Sequence, residues 1–434
     1  MARLDRALGL IDYLLSSSIS RQPMTAHSTS PRIVILGGGF GGLYAALRLD
    51  RLDWGDHRPE ILLVDRGDRF VFLPLLYELM TGELQSWEVA PPFAELLAGT
   101  QVRFVQGTVE AIDLQQRQVS LSPVFGQPQT LTYDRLVLAL GCETPMDWIP
   151  GAAEHALPFR SIADAYRLED RLRALEATDR DKIRVAVVGG GYSGVELACK
   201  LADRLQDRGR LRLIEQSDQI LRNSPNFNRQ AADKALEQRG IWIDWETSVR
   251  DIGPDRIMLD YRGRLEDIPV ELTIWTVGNR VPELVRGLPL PKNGRDQLLV
   301  EPTLQAIDHP EIFALGDIAE MRDANDPQGS PVPSTGQAAL QAGDYVGWNL
   351  WASLCDRPLL PFRYQHLGEM LALGNTSATL TGLGVQLDGP LAYALRRLVY
   401  LYRMPTLEHQ IKVGLNWMTK PLLDRLAELN PDQR

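Results

Sequence analysis

The chain reads as an α/β protein with two Rossmann-like dinucleotide-binding folds, followed by a C-terminal amphipathic helical region. Three observations predict this. The stretches IVILGGGFGGLYAA at 33–46 and VAVVGGGYSGVELA at 185–198 each run an apolar strand into Gly-x-Gly-x-x-Gly, then into small and apolar residues at helical spacing. Each is followed by a second apolar strand that ends on an acid: EILLVD on Asp65, and RLRLIE on Glu215. Near the C-terminus, PLAYALRRLVYLYRM at 390–404 gathers apolar residues on one helical face with arginines beside it.

In the first unit, Ile33 to Leu36 reads as a buried parallel strand. Gly37, Gly39 and Gly42 take the three fingerprint positions. They serve a tight turn, close backbone approach to a pyrophosphate, and close contact between helix and strand. The following helix points its N-terminus, with free N–H groups and a positive dipole end, at the phosphates. Asp65 is placed to accept hydrogen bonds from an adenosine ribose. The second unit repeats the pattern with Gly189, Gly191, Gly194 and Glu215. An acid at that place favours NADH over NADPH, with Arg222 and Arg229 as residues that could fold back onto a 2′-phosphate. Glu196, two residues after Gly194, has two readings: a carboxylate stabilising a helix N-terminus, or one near the meeting point of nicotinamide and a second ring. Two such folds in one chain suggest a flavin held permanently and a nicotinamide that comes and goes.

Size and composition narrow the rest. The 434 residues suffice for two or three domains with a sizeable core. A net charge of −10 argues against a surface built for nucleic acid. The three cysteines, Cys142, Cys199 and Cys355, form no CxxC or CxxxxC. That removes a dithiol of neighbouring cysteines, gives no support to a metal site, and suggests a reducing compartment. All three are read as small buried hydrophobes. No run approaches the length of a membrane-spanning helix. Residues 1–30, with Leu4, Leu8, Ile11 and Leu15 at helical spacing, are expected to be a poorly ordered extension, or to precede a true start at Met24.

On these residues the chain resembles the two-dinucleotide-binding flavoprotein superfamily, in which the first fingerprint holds FAD and a second, inserted domain holds NAD(P)H. YDRLVLALG at 133–141 resembles the strand leaving the FAD domain. TIWTVG at 273–278 resembles the strand closing the nicotinamide domain, and IFALGDIA at 312–319 the second FAD strand. The resemblance implies FAD contacts at Gly37, Gly39, Phe40, Gly41, Gly42, Asp65, Arg66, Leu76, Ala139, Gly141, Gly316, Asp317 and Gln337. It implies NAD(P)H contacts at Gly189, Gly191, Tyr192, Gly194, Glu215 and Gly278, with NADH or NADPH as cosubstrate. The domains it suggests are 31–155 and 296–350 for FAD, 156–295 for NAD(P)H, and 351–434 for a membrane-associating region.

Within that superfamily, PVPSTGQAALQAG at 331–343 is similar to the Ala-Gln-x-Ala-x-x-Gln motif of type II NADH dehydrogenases, with Gly336 in place of alanine. Gln337 and Gln341 share one helical face. The resemblance implies that they contact a quinone; the plain reading is a polar helix start capped by Ser334 or Thr335. The segment 69–93 lacks the cysteine pair of disulfide reductases. LLYELMTGELQSWEVAPPFAELL, with FRYQHLGEM and LRRLVYLYRMPTLEHQIKVGLNW further on, looks closest to the cyanobacterial and chloroplast branch. Members of that branch reduce prenylated naphthoquinones and benzoquinones, demethylphylloquinone among them.

The expected activity is therefore non-pumping NAD(P)H:quinone oxidoreduction, with Glu196, Gln337 and Gln341 as catalytic candidates and Glu196 handling protons. His366 is read as packing. The competing readings are a reductase of a ferredoxin-type protein and a slow NADH-sensing flavoprotein. Leu391, Leu395, Leu398 and Tyr402 form the tail's apolar face, widened by Val399 and Leu401, with Arg396, Arg397 and Arg403 off its centre. Residues 390–412 hold four basic residues and one acidic. That suits a helix in the headgroup plane with its arginines on anionic lipid. Ile411, Leu415, Met418 and Leu422, beside Trp417, could extend it. A helix packed on the protein's own core, or a homodimer interface, is the alternative. The resemblance favours peripheral attachment to the cytoplasmic face of a membrane, thylakoid or plasma membrane in a cyanobacterium.

Overall fold

The computed structural model describes residues 30–123 and 126–429, so the expected N-terminal extension lies outside the described residues. The strand Arg32–Leu36 (RIVIL) is apolar on both faces. It sits between Glu60–Asp65 and Arg135–Leu138, parallel to both, as a strand covered on both sides should be. The full sheet has eight strands. His309–Ala314 pairs parallel with Arg135–Leu138, through Ile312 and Leu136. The chain thus leaves this sheet after 138, folds a second unit, and returns to complete the first. Helix α1 (Phe40–Arg51) buries Leu43, Ala46, Leu47 and Leu49 against the sheet.

The second unit has five parallel strands, ordered Trp242–Asp244, Gly209–Ile214, Ile183–Val188, Leu272–Trp275 and Ala156–Pro158. Three helices accompany it: α2 (Ile162–Glu176), α3 (Tyr192–Leu205) and α4 (Asn226–Gln238). An antiparallel ribbon of Thr247–Ile252, Arg256–Tyr261 and Arg264–Pro269 is added beside it. The outgoing and returning chains cross near a bridge between Glu143 and Arg280, whose amides and carbonyls pair at 2.8 and 2.9 Å.

After the return, helix α5 (Gly336–Leu354) lies on α1. The two approach closely because small residues line the contact: a Cβ on Gly343 would fall 2.7 Å from the Gly41 carbonyl oxygen. Thr335, rather than Ser334, caps α5, accepting from the Ala338 amide at 3.2 Å. An antiparallel sheet follows that the sequence reading did not anticipate: Glu369–Ala372, Ala378–Gly382 and Val385–Asp388. It braces the second unit. Buried Asn228 on α4 donates to Thr381 at 3.0 Å, and the Asn375 amide to Asp203 on α3 at 2.7 Å.

The chain ends in helices α6 (Gly389–Arg403) and α7 (Leu407–Leu429). Buried Glu88 clamps α7. It accepts from Trp417 Nε1 at 2.7 Å and Asn416 Nδ2 at 3.1 Å, while His409 Nε2 bonds its main-chain oxygen at 3.0 Å. The outer faces of both helices are apolar and exposed: Leu391, Leu398 and Tyr402 on α6, and Leu407, Ile411, Leu415 and Met418 on α7. Among the described residues no helix is long and apolar enough to cross a membrane.

One expectation about this tail is corrected. Arg396 does not face outward. Ala392, Arg396 and Tyr400 recur every four residues and form the inner ridge of α6, with Arg396 fully buried. Arg397 is half-buried and stacks over the Trp417 ring at 4.2 Å instead of lying free toward lipid.

Candidate active site

The two glycine turns are built alike. Gly37 and Gly189 have φ of +101° and +106°, a region that excludes most side chains. A Cβ on Gly42 would fall 1.9 Å from the Gly37 carbonyl oxygen, and one on Gly194 1.8 Å from that of Gly189, so only glycine lets helix and turn meet. Gly39 and Gly191 face open space and begin α1 and α3, and no side chain caps either helix. Helices α2 and α5, by contrast, are capped by Ser161 and Thr335. Uncapped helix starts beside open glycines suit a pyrophosphate, whose oxygens would take the amides that no side chain serves.

The acids also match. Asp65 accepts from the Gly38 amide at 2.6 Å and the Gly67 amide at 2.8 Å. Glu215 accepts from Gly190 at 2.7 Å and Ser217 at 2.7 Å. Each carboxylate therefore ties the glycine turn to the loop after its own strand, and each oxygen keeps a lone pair for a ribose. Burial raises the Asp65 pKa, and the two amides work against that rise.

The remaining FAD candidates gather around the first turn. The Phe40 ring meets Phe70 and Phe72 edge-on at 5.2 and 5.4 Å and closes over Gly336. Gly41 packs on Leu315, and Leu76 is buried in the helical turn at 73–79. Ala139 abuts Gly37, while Gly141 and Gly316 turn with φ of +66° and +76°. Arg66 is exposed beside Asp65. Asp317 is engaged by Arg160 at 2.8 Å. On the second turn, Tyr192 opens α3 with its ring partly exposed, and Gly278 lies beneath the Trp148 ring. Arg229 bonds Gln219 at 3.2 Å. Between the two units, the Tyr77 hydroxyl donates to Ser193 Oγ at 2.9 Å, and the Tyr77 ring stacks on Phe159 at 5.3 Å.

Glu196 is buried. Its Oε1 accepts from the Ala372 amide at 2.7 Å and lies 3.6 Å from Arg396 Nη2. Around it stands a buried charge cluster that sequence reasoning missed apart from Glu196. Arg396 donates to Glu78 at 2.5 Å and to the Pro74 carbonyl at 2.7 Å. Lys200, one turn after Glu196 on α3, pairs with Glu83, which also accepts from Tyr393 of α6. Arg396 and Lys200 face Glu78, Glu83 and Glu196, so the set is neutral only when one carboxylate holds a proton. Burial opposes charge on Glu78, but Arg396 and Lys200 more than offset it and hold its pKa below the usual range. Glu196 has Arg396 only at 3.6 Å; burial outweighs that attraction and pushes its pKa up to about 7. The missed signal was the four-residue recurrence of Ala392, Arg396 and Tyr400 opposite the apolar stripe.

Gln337 and Gln341 are on one face, as expected, and both amides are in use. Gln337 Oε1 accepts from the Tyr364 hydroxyl and the Leu367 amide, both at 3.0 Å. Gln341 exchanges two bonds with the Gln365 backbone, both 2.9 Å. The pair thus fastens the segment 364–368 across the start of α5. His366 is exposed, with Nδ1 3.3 Å from the Tyr364 hydroxyl. Of the cysteines only Cys199 is fully buried; Cys142 and Cys355 are half-buried, which corrects their common reading. Cys142 lies beside the first turn, its thiol 3.6 Å from the Asp317 carbonyl and pushed up to about 12 by burial and the Asp317 charge.

Comparison with known proteins agrees with this architecture. The pyridine nucleotide-disulphide oxidoreductase family model matches residues 31–343. The chain is 54% identical to demethylphylloquinone reductase NdbB of Synechocystis sp., over 91% of this chain and 98% of that protein. It is 41% identical to the alternative NAD(P)H-ubiquinone oxidoreductase C1, chloroplastic/mitochondrial, of Arabidopsis thaliana, over 92% of this chain and 82% of that one. Among solved structures, NDH2 from Plasmodium falciparum in complex with NADH shares the fold with a TM-score of 0.80 at 17% identity, covering 91% of this chain and 98% of the other.

Proposed function

Because the chain belongs to the pyridine nucleotide-disulphide oxidoreductase family, and within it to the type II NAD(P)H–quinone oxidoreductases, we propose that it reduces a prenylated quinone dissolved in a membrane, with a naphthoquinone of the demethylphylloquinone kind as first choice. One observation carries the reading. Helix α6 turns Leu391, Leu398 and Tyr402 outward, while its opposite face delivers Arg396 into the buried cluster beside Glu196. A helix with lipid on one side and the reacting region on the other suits an acceptor that never leaves the bilayer. The protein is then peripheral, held by the outer faces of α6 and α7.

Bound FAD would supply the redox chemistry, with a nicotinamide as hydride donor and a different molecule as electron acceptor. The chain's own residues do the rest. The uncapped start of α1 and Asp65 would hold the flavin dinucleotide; the start of α3 and Glu215 would hold the nicotinamide one, with NADH preferred. Tyr77 and Ser193 fix the spacing between the two units. Gln337 and Gln341 hold the 364–368 segment as a wall of the site. Glu196 keeps a proton near neutrality in a dry cluster, which supports it as the proton source when the quinone is reduced.

The test compares turnover by the purified yellow protein with short-chain naphthoquinone, benzoquinone and ferredoxin, using NADH and NADPH. Quinones are expected to be reduced and ferredoxin not. Rapid flavin reduction without reoxidation by any quinone would overturn the reading.

A further inference from the structure

Asp317, in the turn Gly316–Ile318, does not stand alone. Its Oδ2 takes a bond from Arg160 Nη2 at 2.8 Å. The other terminal nitrogen of Arg160 donates to Asn279 Oδ1 at 2.6 Å. Arg160 lies in the second unit, between the strand Ala156–Pro158 and α2, and Asn279 lies on the chain returning to the first unit, next to the Glu143–Arg280 bridge. The Arg160 backbone is itself fixed, because its amide donates to Asp164 Oδ2 at 3.1 Å within the capping box of α2. The Asp317 main-chain oxygen is held by Gln297 Nε2 at 3.0 Å. One guanidinium therefore joins the second unit and the returning crossing to the acid of the first nucleotide site.

Charge balance gives this geometry a purpose. The first site presents two carboxylates, Asp65 and Asp317, to a ligand whose pyrophosphate brings two further negative charges. The start of α1 offers only about half a positive charge. Arg66 stands at Asp65, and Arg160 is the full cation bonded to Asp317. A planar guanidinium serves the acid and the hinge amide from two separate nitrogens fixed in one plane, a geometry that the single nitrogen of a lysine does not reproduce.

We infer that Arg160 is a positioning residue with two effects: it retains the flavin dinucleotide by neutralising Asp317, and it sets the angle at which the nicotinamide unit faces the flavin unit. The inference rests on the reading that the first site holds FAD.

The experiment uses the full-length holoprotein and the variants Arg160→Met, Arg160→Lys and Asn279→Ala. Released-flavin fluorescence measures FAD dissociation, stopped-flow absorbance measures flavin reduction by NADH at saturating FAD, and thermal unfolding checks the fold. Arg160→Met should weaken FAD binding about tenfold to a hundredfold, the range for loss of one charge-assisted hydrogen bond. Arg160→Lys should restore most of the binding but not the reduction rate. Asn279→Ala should bind FAD normally yet reduce it more slowly. FAD binding by Arg160→Met equal to that of the parent protein would overturn retention. Parent reduction rates in both Arg160→Lys and Asn279→Ala would overturn the hinge effect. A parent protein that carries no FAD would instead remove the cofactor reading itself.

Discussion

Arg396 and Glu78 form an ion pair at 2.5 Å with neither side chain exposed to solvent beyond 2%. A buried pair adds little by forming, but losing one partner strands the other charge in a dry interior. Arg396→Met is expected to lower stability by about 3–5 kcal/mol. Adding Glu78→Gln should return much of that loss. Urea unfolding of the two variants checks this; an additive double variant would contradict it.

Glu196 predicts a pH dependence. Its folded pKa of about 7 lies above the ordinary 4.5. Between those values the folded protein keeps a proton that the unfolded chain releases, so this group's contribution makes stability fall as pH rises from about 4.5 to about 7. Below that window the contribution is complete; above it, lost. Flavin reoxidation by quinone should decline through the same upper limit, and Glu196→Gln should flatten the decline while leaving flavin reduction near its parent rate. Stopped-flow reoxidation across pH 5–9 (roughly two units either side of the pKa) measures both, and an unchanged profile in Glu196→Gln excludes the proton role.

Lys200 has no exposure, and its ion-pair partner is Glu83, which also receives Tyr393 of α6. Lys200→Met should loosen α6 as well as α3. Hydrogen exchange in 389–403 is expected to accelerate about tenfold for each 1.4 kcal/mol lost locally. Exchange confined to 192–205 would show that Glu83 does not couple the two helices.

Glu215 holds the amides of Gly190 and Ser217. Glu215→Gln removes the charge that repels a 2′-phosphate and weakens the ribose bond. The ratio of kcat/KM for NADH over NADPH should fall about tenfold, as expected for one charge-assisted hydrogen bond. An unaltered ratio would place selectivity elsewhere, with Arg222 the next residue to change.

The outer face of α6 offers a direct test of membrane contact. Replacing Leu391, Leu398 and Tyr402 together by serine removes exposed apolar area without touching the inner ridge. Each leucine contributes on the order of 1.5 kcal/mol or more when buried in lipid. Vesicle binding should drop at least about a hundredfold in a flotation assay. Undiminished flotation would assign the attachment to another surface.

What could be read directly from the residue order was local. Each nucleotide turn, from strand through glycines to the strand-ending acid, lies within a short contiguous run, and backbone geometry at Gly37, Gly42, Gly189 and Gly194 leaves no alternative residue type. The helical period likewise marked the outer stripe of α6. The sheet at 369–388 escaped notice because its strands are four or five residues long, too short for a period of two to stand out.

Two dinucleotide cradles, their order and an apolar tail face were legible from the residues alone, since each depends on neighbours along the chain. The roles of the polar side chains emerge only once distant segments pack together. Arg396 and Glu78 stand 318 positions apart, and nothing in either surrounding stretch announces the other. Arg396 read as a lipid-facing charge because a helix alone defines faces but not what packs against them. Once α6 lies over 73–83 and α3, desolvation makes an unpaired cation there untenable, and carboxylates from two other regions of the chain must meet it.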